Sequence, residues 1–223
     1  MAVVRARQEE YNLIFIMIIK SKCKKCRRAN QKLFLKGDRC DTQKCAMVKR
    51  PYIPGAHGKS RRRRFSEYGL QLAEKQKIRY TYGISEKQFK RYFKEAIDQK
   101  GDKGDYLVKK LESRLDNVVF RLGWAKSRGS ARQIVNHGHI LVNKRKVDIP
   151  SYQVKKDDVI KIKEKSKKLV LFKELKTFLK KSKAPDWLSL DKQKIEGVVK
   201  SNPDFEDLKI IGEINMIIEY YSR

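Results

Sequence analysis

Apolar residues recur at three- and four-residue steps through the middle of the chain and at alternating steps beyond it. This pattern predicts an α+β fold with a mostly helical first part. The helical pattern starts near Leu70 with QLAEKQKIRYTYG. Ser85 then caps EKQFKRYFKEAI, with Gln88 in the capping-box position and Phe89, Tyr92, Phe93 and Ile97 on one core-facing stripe. Residues 101–105 form a break. A further helix is expected over 107–122, with Leu111, Leu115, Val118, Val119 and Leu122 inward and Arg114 and Arg121 outside. Ser127 can cap the next helix, whose turns carry Arg128, Arg132 and Gln133, with Ile134 and Val135 inward. Gly138 ends it as a left-handed cap. Ile140-Leu141-Val142 and Lys146-Val147 read as short strands around an Asn-Lys-Arg turn, and Val159, Ile160 and Ile162 complete a small sheet. A lysine-rich helix over about 167–180 follows, and the tail reads as strand and then helix. No internal repeat is evident.

Outside this pattern lie two exceptions. LIFIMII (residues 13–19) is too short to span a bilayer, lacks a small-residue cleavage site, and follows Glu9 and Glu10, which do not suit a basic leader. Met17 is an alternative initiator. Residues 49–69, rich in Pro, Gly and Arg, read as an extended irregular arm.

Charge changes the picture most. The 223 residues carry a formal net charge of +29, which asks for a polyanionic partner, while a 40% hydrophobic content suffices for one or two modest cores. The excess is concentrated. Residues 20–64 hold 17 Lys and Arg against Asp38 and Asp41, whereas residues 184–223 hold 5 against 8 acids. A charge run is commonly just a solvated face, but this density points to nucleic acid, and the acidic tail should pack back on the protein. In the arm, Tyr52 and His57 suit base stacking, and Arg61, Arg62, Arg63 and Arg64 suit phosphates; a localisation-like run or linker is the plainer alternative.

All four cysteines fall in the same basic region. Cys23-x-x-Cys26, thirteen residues, then Cys40 and Cys45 have the spacing of a closed tetrahedral site for one structural zinc ion. Lys24, Lys25, Arg27 and Lys44 would offset the charge of four thiolates. Reduced free cysteines are the simple alternative. Disulfides are disfavoured without a secretory signal, and a redox role lacks a thioredoxin-like strand–helix context. Such a closed site leaves no open position for a substrate, so the ion would fold the segment. The three histidines, His57, His137 and His139, stand near glycine turns, where hydrogen bonding or RNA contact is commoner than catalysis. With no phosphate-cradling glycine loop, dinucleotide fingerprint or nucleophile elbow, no catalytic residue is assigned and no enzyme is expected.

The runs LFLKGDRCDTQKCAMVKRPYIPGAHG, FSEYGLQLAEKQKIRYTYGISEKQF and LESRLDNVVFRLGWAKSRGSARQIVNHGHILVNKRKVDIPSYQV together resemble the bacterial form of the S-four family of small-subunit ribosomal proteins. So does the tail, PDWL…EGVV…INMIIEYYS. The resemblance covers residues 20–223. It implies a basic arm and helical domain (49–110, completed by 181–223) and a helix–helix–β-hairpin RNA-binding module, or alpha-L motif (111–180). The zinc segment (20–48) rests on the cysteine spacing, since many members lack the four cysteines, and the atypical N-terminal extension (1–19) has no counterpart in the family.

It also implies a primary binder of small-subunit ribosomal RNA that nucleates assembly of the subunit body. Such a protein lies in the cytoplasmic small subunit, not at a membrane. Its place is near where mRNA enters, beside the third and fifth small-subunit proteins, with an influence on decoding accuracy. Carried over by position, the RNA contacts are Arg114, Lys126, Ser127, Arg128, Arg132, Gln133, His137, Gly138, His139 and Asn143, with Arg50, Tyr52, Gly55, His57 and Arg61 to Arg64 in the arm. Lys44, Lys49 and Arg50 would face mRNA. The alternative is an RNA-modifying enzyme or stress factor that uses the same module. The family's hairpin usually turns through Asn-Gly, where this chain has Asn143-Lys144, and Asp157-Asp158 replaces the usual Gly-Asp.

Overall fold

Two apolar clusters organise the chain, and each recruits a different part of the tail. The computed structural model describes residues 21–60, 64–169, 183–203 and 212–222, with Phe172, Leu175, Phe178 and Leu179. The hydrophobic run at 13–19, the question of Met17, and Arg61, Arg62 and Arg63 lie outside the described residues.

The first cluster is helical. After α1 (Lys22–Ala29), a 3-10 turn (Gly37–Cys40) and α2 (Ala46–Lys49), the chain crosses the irregular arm into α3 (Glu67–Tyr82), α4 (Glu86–Ile97) and α5 (Lys103–Glu112). Each long helix starts on a local cap. The Ser66 and Ser85 hydroxyls and the Asp102 carboxylate accept the Gly69, Gln88 and Gly104 amides at 3.2, 3.2 and 2.7 Å. Phe89, Tyr92, Phe93 and Ala96 of α4 pack with Ile78, Tyr82, Leu107, Val108 and Leu111. Ile97, expected in that stripe, is 43% exposed instead. Phe89, Phe93 and Ala96 follow the i, i+4, i+7 line, and Ile97 falls past its edge at the last residue of the helix.

The helix expected over 107–122 is in fact two. α5 ends at Glu112, and α6 (Leu115–Arg121) starts after Arg114, whose backbone is extended (ψ 135°) and bridges Gln153. The Val154 amide donates to the Ser113 carbonyl (2.9 Å) and the Leu115 amide to the Tyr152 carbonyl (2.8 Å), so the returning segment 152–154 takes over at the break. The apolar stripe runs on without a gap because it serves two cores. Leu107, Val108 and Leu111 face the first, and Leu115, Val118, Val119 and Leu122 face the second.

The second cluster joins α6 and α7 (Arg128–Asn136) to an antiparallel sheet. Its strands are β1 (Ile140–Val142), β2 (Arg145–Lys146), β3 (Val159–Ile162), β4 (Leu188–Asp191) and β5 (Glu196–Val199), in the order β2-β1-β3-β5-β4. A short α8 (Glu164–Lys167) follows β3, and Phe172, Leu175 and Leu179 are buried in this core. Gly197 sits where a Cβ would lie 2.6 Å from Leu122 Cδ1, so a larger residue in β5 would force the buried Leu122 side chain, just after α6, to move. The tail therefore divides. Residues 188–199 extend the module's sheet rather than completing the helical domain, and only α9 (Ile214–Ser222) packs back on α3 and α5.

Pairing of Val142 with Arg145 makes the hairpin loop two residues, Asn143-Lys144, rather than Asn-Lys-Arg. Asn143 (φ 49°) and Lys144 (φ 68°) both occupy the left-handed region, as does Asp157 (φ 68°). The two places where this chain departs from the family's glycines thus keep the backbone that glycine favours. Lys144→Gly and Asp157→Gly are each expected to raise stability by about 0.5–1 kcal/mol, the left-handed penalty less the extra unfolded-state entropy of glycine. Urea midpoints measure this; a fall for both variants would contradict it.

Candidate nucleic-acid interface

Ser127 caps α7 as expected, its hydroxyl accepting the Ser130 amide at 3.2 Å. Arg128 and Arg132, expected on the outer face of that helix, turn inward. Arg132 Nε donates to Asp116 Oδ2 (2.8 Å) and Nη2 to the Tyr82 carbonyl (3.0 Å), while Nη1 donates to the Gly83 carbonyl. One side chain thus binds a buried carboxylate and the C-terminal carbonyls of α3. Arg128 Nε donates to Asn117 Oδ1 (2.7 Å), and its guanidinium lies over the rings of Tyr82 and Phe120 at 4.8 and 4.6 Å.

Arg114, expected outside, is 4% exposed: its Nε and Nη2 grip Asp116 at 3.0 and 2.8 Å and its Nη1 donates to Tyr92 Oη at 2.9 Å. Arg121, likewise expected outside, donates to both oxygens of the fully buried Glu112 at 2.9 and 2.8 Å, and Asn117 Nδ2 adds a bond of 2.7 Å. Burial alone would push the Glu112 carboxyl up, but Arg121, helped by Arg128 and Tyr82, holds it below the ordinary carboxylate value. Burial opposes ionisation at Asp116 too, and Arg132 and Arg114 reverse it. The Tyr82 hydroxyl, buried beside Glu112, is pushed up.

This ion network welds the helical domain to the module. The expectation that Arg114 and Arg121 lie outside is therefore corrected, because a buried carboxylate holds each guanidinium; Arg128 and Arg132 are partly buried, engaged by an amide, a carboxylate and carbonyls. Asn143 is likewise engaged inside the fold. Its Nδ2 donates to Asp158 Oδ1 (2.7 Å), and its Oδ1 accepts the Val159 amide (2.9 Å).

Other expected groups do reach the surface. Lys126, Gln133 and His137 are exposed on the module, as are Arg50, Gly55, His57 and Arg64 in the arm. Lys126 Nζ lies 3.1 Å from Asp38. Gly138 (φ 68°) ends α7 beneath the Lys146 side chain. His139 is half-buried, its Nδ1 2.9 Å from Ser166 Oγ and its ring edge-on to Phe172; burial, then His137, lowers its pKa. The Tyr52 ring is partly buried, with Lys59 5.6 Å from its centre. Arg27 lies over it at 4.7 Å and donates from Nε to its carbonyl at 2.8 Å, which docks the arm onto α1.

The cysteine segment lies beside these groups. α1 carries Cys23 and Cys26, the 3-10 turn ends on Cys40, and Cys45 precedes α2. All four are free thiols lining one cavity of about 20 Å³. Burial pushes the Cys26 and Cys40 thiols up, while the Leu33 and Lys36 amides directed at their sulfurs pull the other way. Among the described residues no group of three or more His, Cys, Asp or Glu side chains stands in metal-holding geometry. Lys22 and Lys36 line the same cavity as the four sulfurs.

Tight packing seats this segment against the start of α7. At Gly37 (φ 62°) a Cβ would come within 2.3 Å of the Lys126 carbonyl oxygen, and at Gly129 a Cβ would meet Lys22 Nζ at 3.1 Å. Two open grooves result. One, of about 520 Å³, is lined by Lys22, Lys24, Lys36, Arg39 and Ser127; the other, of about 360 Å³, by Lys24, Lys25, Arg28, Gly55 and Tyr80. Burial and neighbouring cations, Lys36 for one and Arg79 for the other, lower the pKa values of Lys22 and Lys25. Of these cations, Lys22, Arg28, Lys36 and Arg39 were missed by motif reasoning; the charge density of residues 20–64 was the only sign of them.

Comparison with known proteins fits this architecture. The family model described as the ribosomal protein S4/S9 N-terminal domain matches residues 18–112, and that of the S4 domain matches residues 113–160. The division falls where the expected long helix breaks. These matches define a two-module chain of the ribosomal-protein class. Proteins named small ribosomal subunit protein uS4 are 53% identical in Halothermothrix orenii, 51% in Thermus thermophilus and 49% in Natranaerobius thermophilus. Each match covers 90% of this chain and 96% of the relative. The chain belongs to the uS4 family of small ribosomal subunit proteins.

Proposed function

We propose that this chain is a structural constituent of the small ribosomal subunit that binds small-subunit ribosomal RNA and catalyses no reaction. The observation that carries the reading is the cationic groove where the cysteine segment meets the start of α7, on a chain of this family. Lys24 and Arg39 are exposed there, so phosphates can approach without displacing a buried partner. In the finer form of this reading the protein binds the RNA directly, nucleates assembly of the subunit body, and sits near where mRNA enters, beside the third and fifth small-subunit proteins. Exposed Lys44, Lys49 and Arg50 would face the mRNA and influence decoding accuracy. One zinc ion held by Cys23, Cys26, Cys40 and Cys45 would order the segment that forms one wall of the groove.

Filter binding to a small-subunit ribosomal RNA fragment across a salt series tests the reading. Lys24→Glu with Arg39→Glu should lower affinity at least tenfold and reduce the log–log salt slope by about two. Lys192→Glu in the acidic tail should change neither. Equal effects at both places, or affinity indifferent to salt, would contradict it. Copurification with subunits through a high-salt wash checks the assembled state.

A further inference from the structure

Phe34 stands out among the groups that the fold does not use. It is 44% exposed although its neighbour Leu33 is 1% exposed, and its φ of 49° is a left-handed conformation that bulky residues rarely adopt. That backbone turns the ring out of the cysteine segment onto the edge of a cleft shared with Lys22, Lys25, Tyr80, Arg128 and Arg132. Tyr80 already carries Lys25 and Arg79 over its ring, at 4.7 and 5.0 Å. Among the described residues, no ring stacks on Phe34 and no cation lies over it.

Resting on the RNA-binding reading above, we infer that Phe34 is a stacking platform for one unpaired base of the bound RNA, with Lys22 and Lys25 taking the flanking phosphates. The cleft beneath, of about 50 Å³, has room for a water or two and is too small for a base. The base therefore lies flat on the ring at the mouth. An unpaired base is the flat apolar group that a polyanion carries, which is why an exposed aromatic ring amid lysines suits RNA. Its contribution involves no counterion release, so it is separable from the phosphate contacts.

Two variants test this with the same RNA fragment. Phe34→Gly deletes the ring while favouring the left-handed backbone, so its unfolding midpoint should not fall. It should bind about 5- to 140-fold more weakly with an unchanged salt slope. Phe34→Trp should retain affinity, and its added indole emission should fall on binding, while Trp124 and Trp187 are buried and serve as the unchanged background. Wild-type affinity in Phe34→Gly, or tight binding by Phe34→Trp with no change in emission, would overturn the stacking site and leave the groove intact. Failure of the unmodified protein to bind would instead remove the RNA reading itself.

Discussion

Asp116→Asn is expected to cost roughly 3–5 kcal/mol of folding stability, because it removes one charge from a buried network and strands two others. Asp116 is 3% exposed and accepts from both Arg114 and Arg132. Asparagine has nearly the same shape, so the loss would be one of charge. Urea unfolding checks it, and a loss below about 1 kcal/mol would show that the two guanidinia find solvent or other partners. The pH dependence has a definite sign. Glu112 and Asp116 are both held below their ordinary values of 4.5 and 3.8. Their contribution is fully present above those values and is lost as the pH falls through the lower folded-state values. Acid unfolding should therefore be steep in the wild type and shallower in Asp116→Asn. For the same reason Arg132→Glu cannot serve as a clean probe of RNA contact. It would place a carboxylate against Asp116 and release the end of α3, so weakened RNA binding would report a loosened junction.

If the proposed zinc is present, removing it, or replacing Cys40 with serine, is expected to have its largest effect on residues 21–49, the segment proposed to face RNA. In small zinc peptides the ion supplies about 10–16 kcal/mol of folding free energy. Between residues 21 and 49 the buried apolar groups are Leu33, Cys26, Cys40 and Cys45, a small core for so cationic a segment, which is where the proposed ion would contribute most. Chelation should expose residues 21–49 to protease and weaken RNA binding, while the module built on Leu115, Val118, Ile134 and Ile160 keeps its own core and unfolding transition. Metal analysis should find one zinc per chain. Metal-free protein with full RNA affinity and a protease-resistant segment would exclude the site.

Local signals carried the sequence reading wherever the cause was itself local. Ser85 and Ser127 mark helix starts because a hydroxyl reaches an amide three residues on, and Gly138 marks a stop because its φ is positive. The break at Ser113 and Arg114 was hidden because one continuous apolar stripe feeds two cores, and only the return of residues 152–154 terminates α5. The tail was misassigned for a similar reason: alternation shows that residues 188–199 form strands but not which sheet edge they join.

The arginines mark the same division. Sequence alone determined that the chain is an α+β protein with a strongly basic N-terminal half, a four-cysteine segment and a capped helix followed by a hairpin, since those follow from periodicity, spacing and charge count. Tertiary structure alone decided which cations face outward. Arg132 meets Gly83, far away in sequence, and Arg114 meets Tyr92, because burying Asp116 and Glu112 demanded charged partners that composition cannot distinguish from free ones.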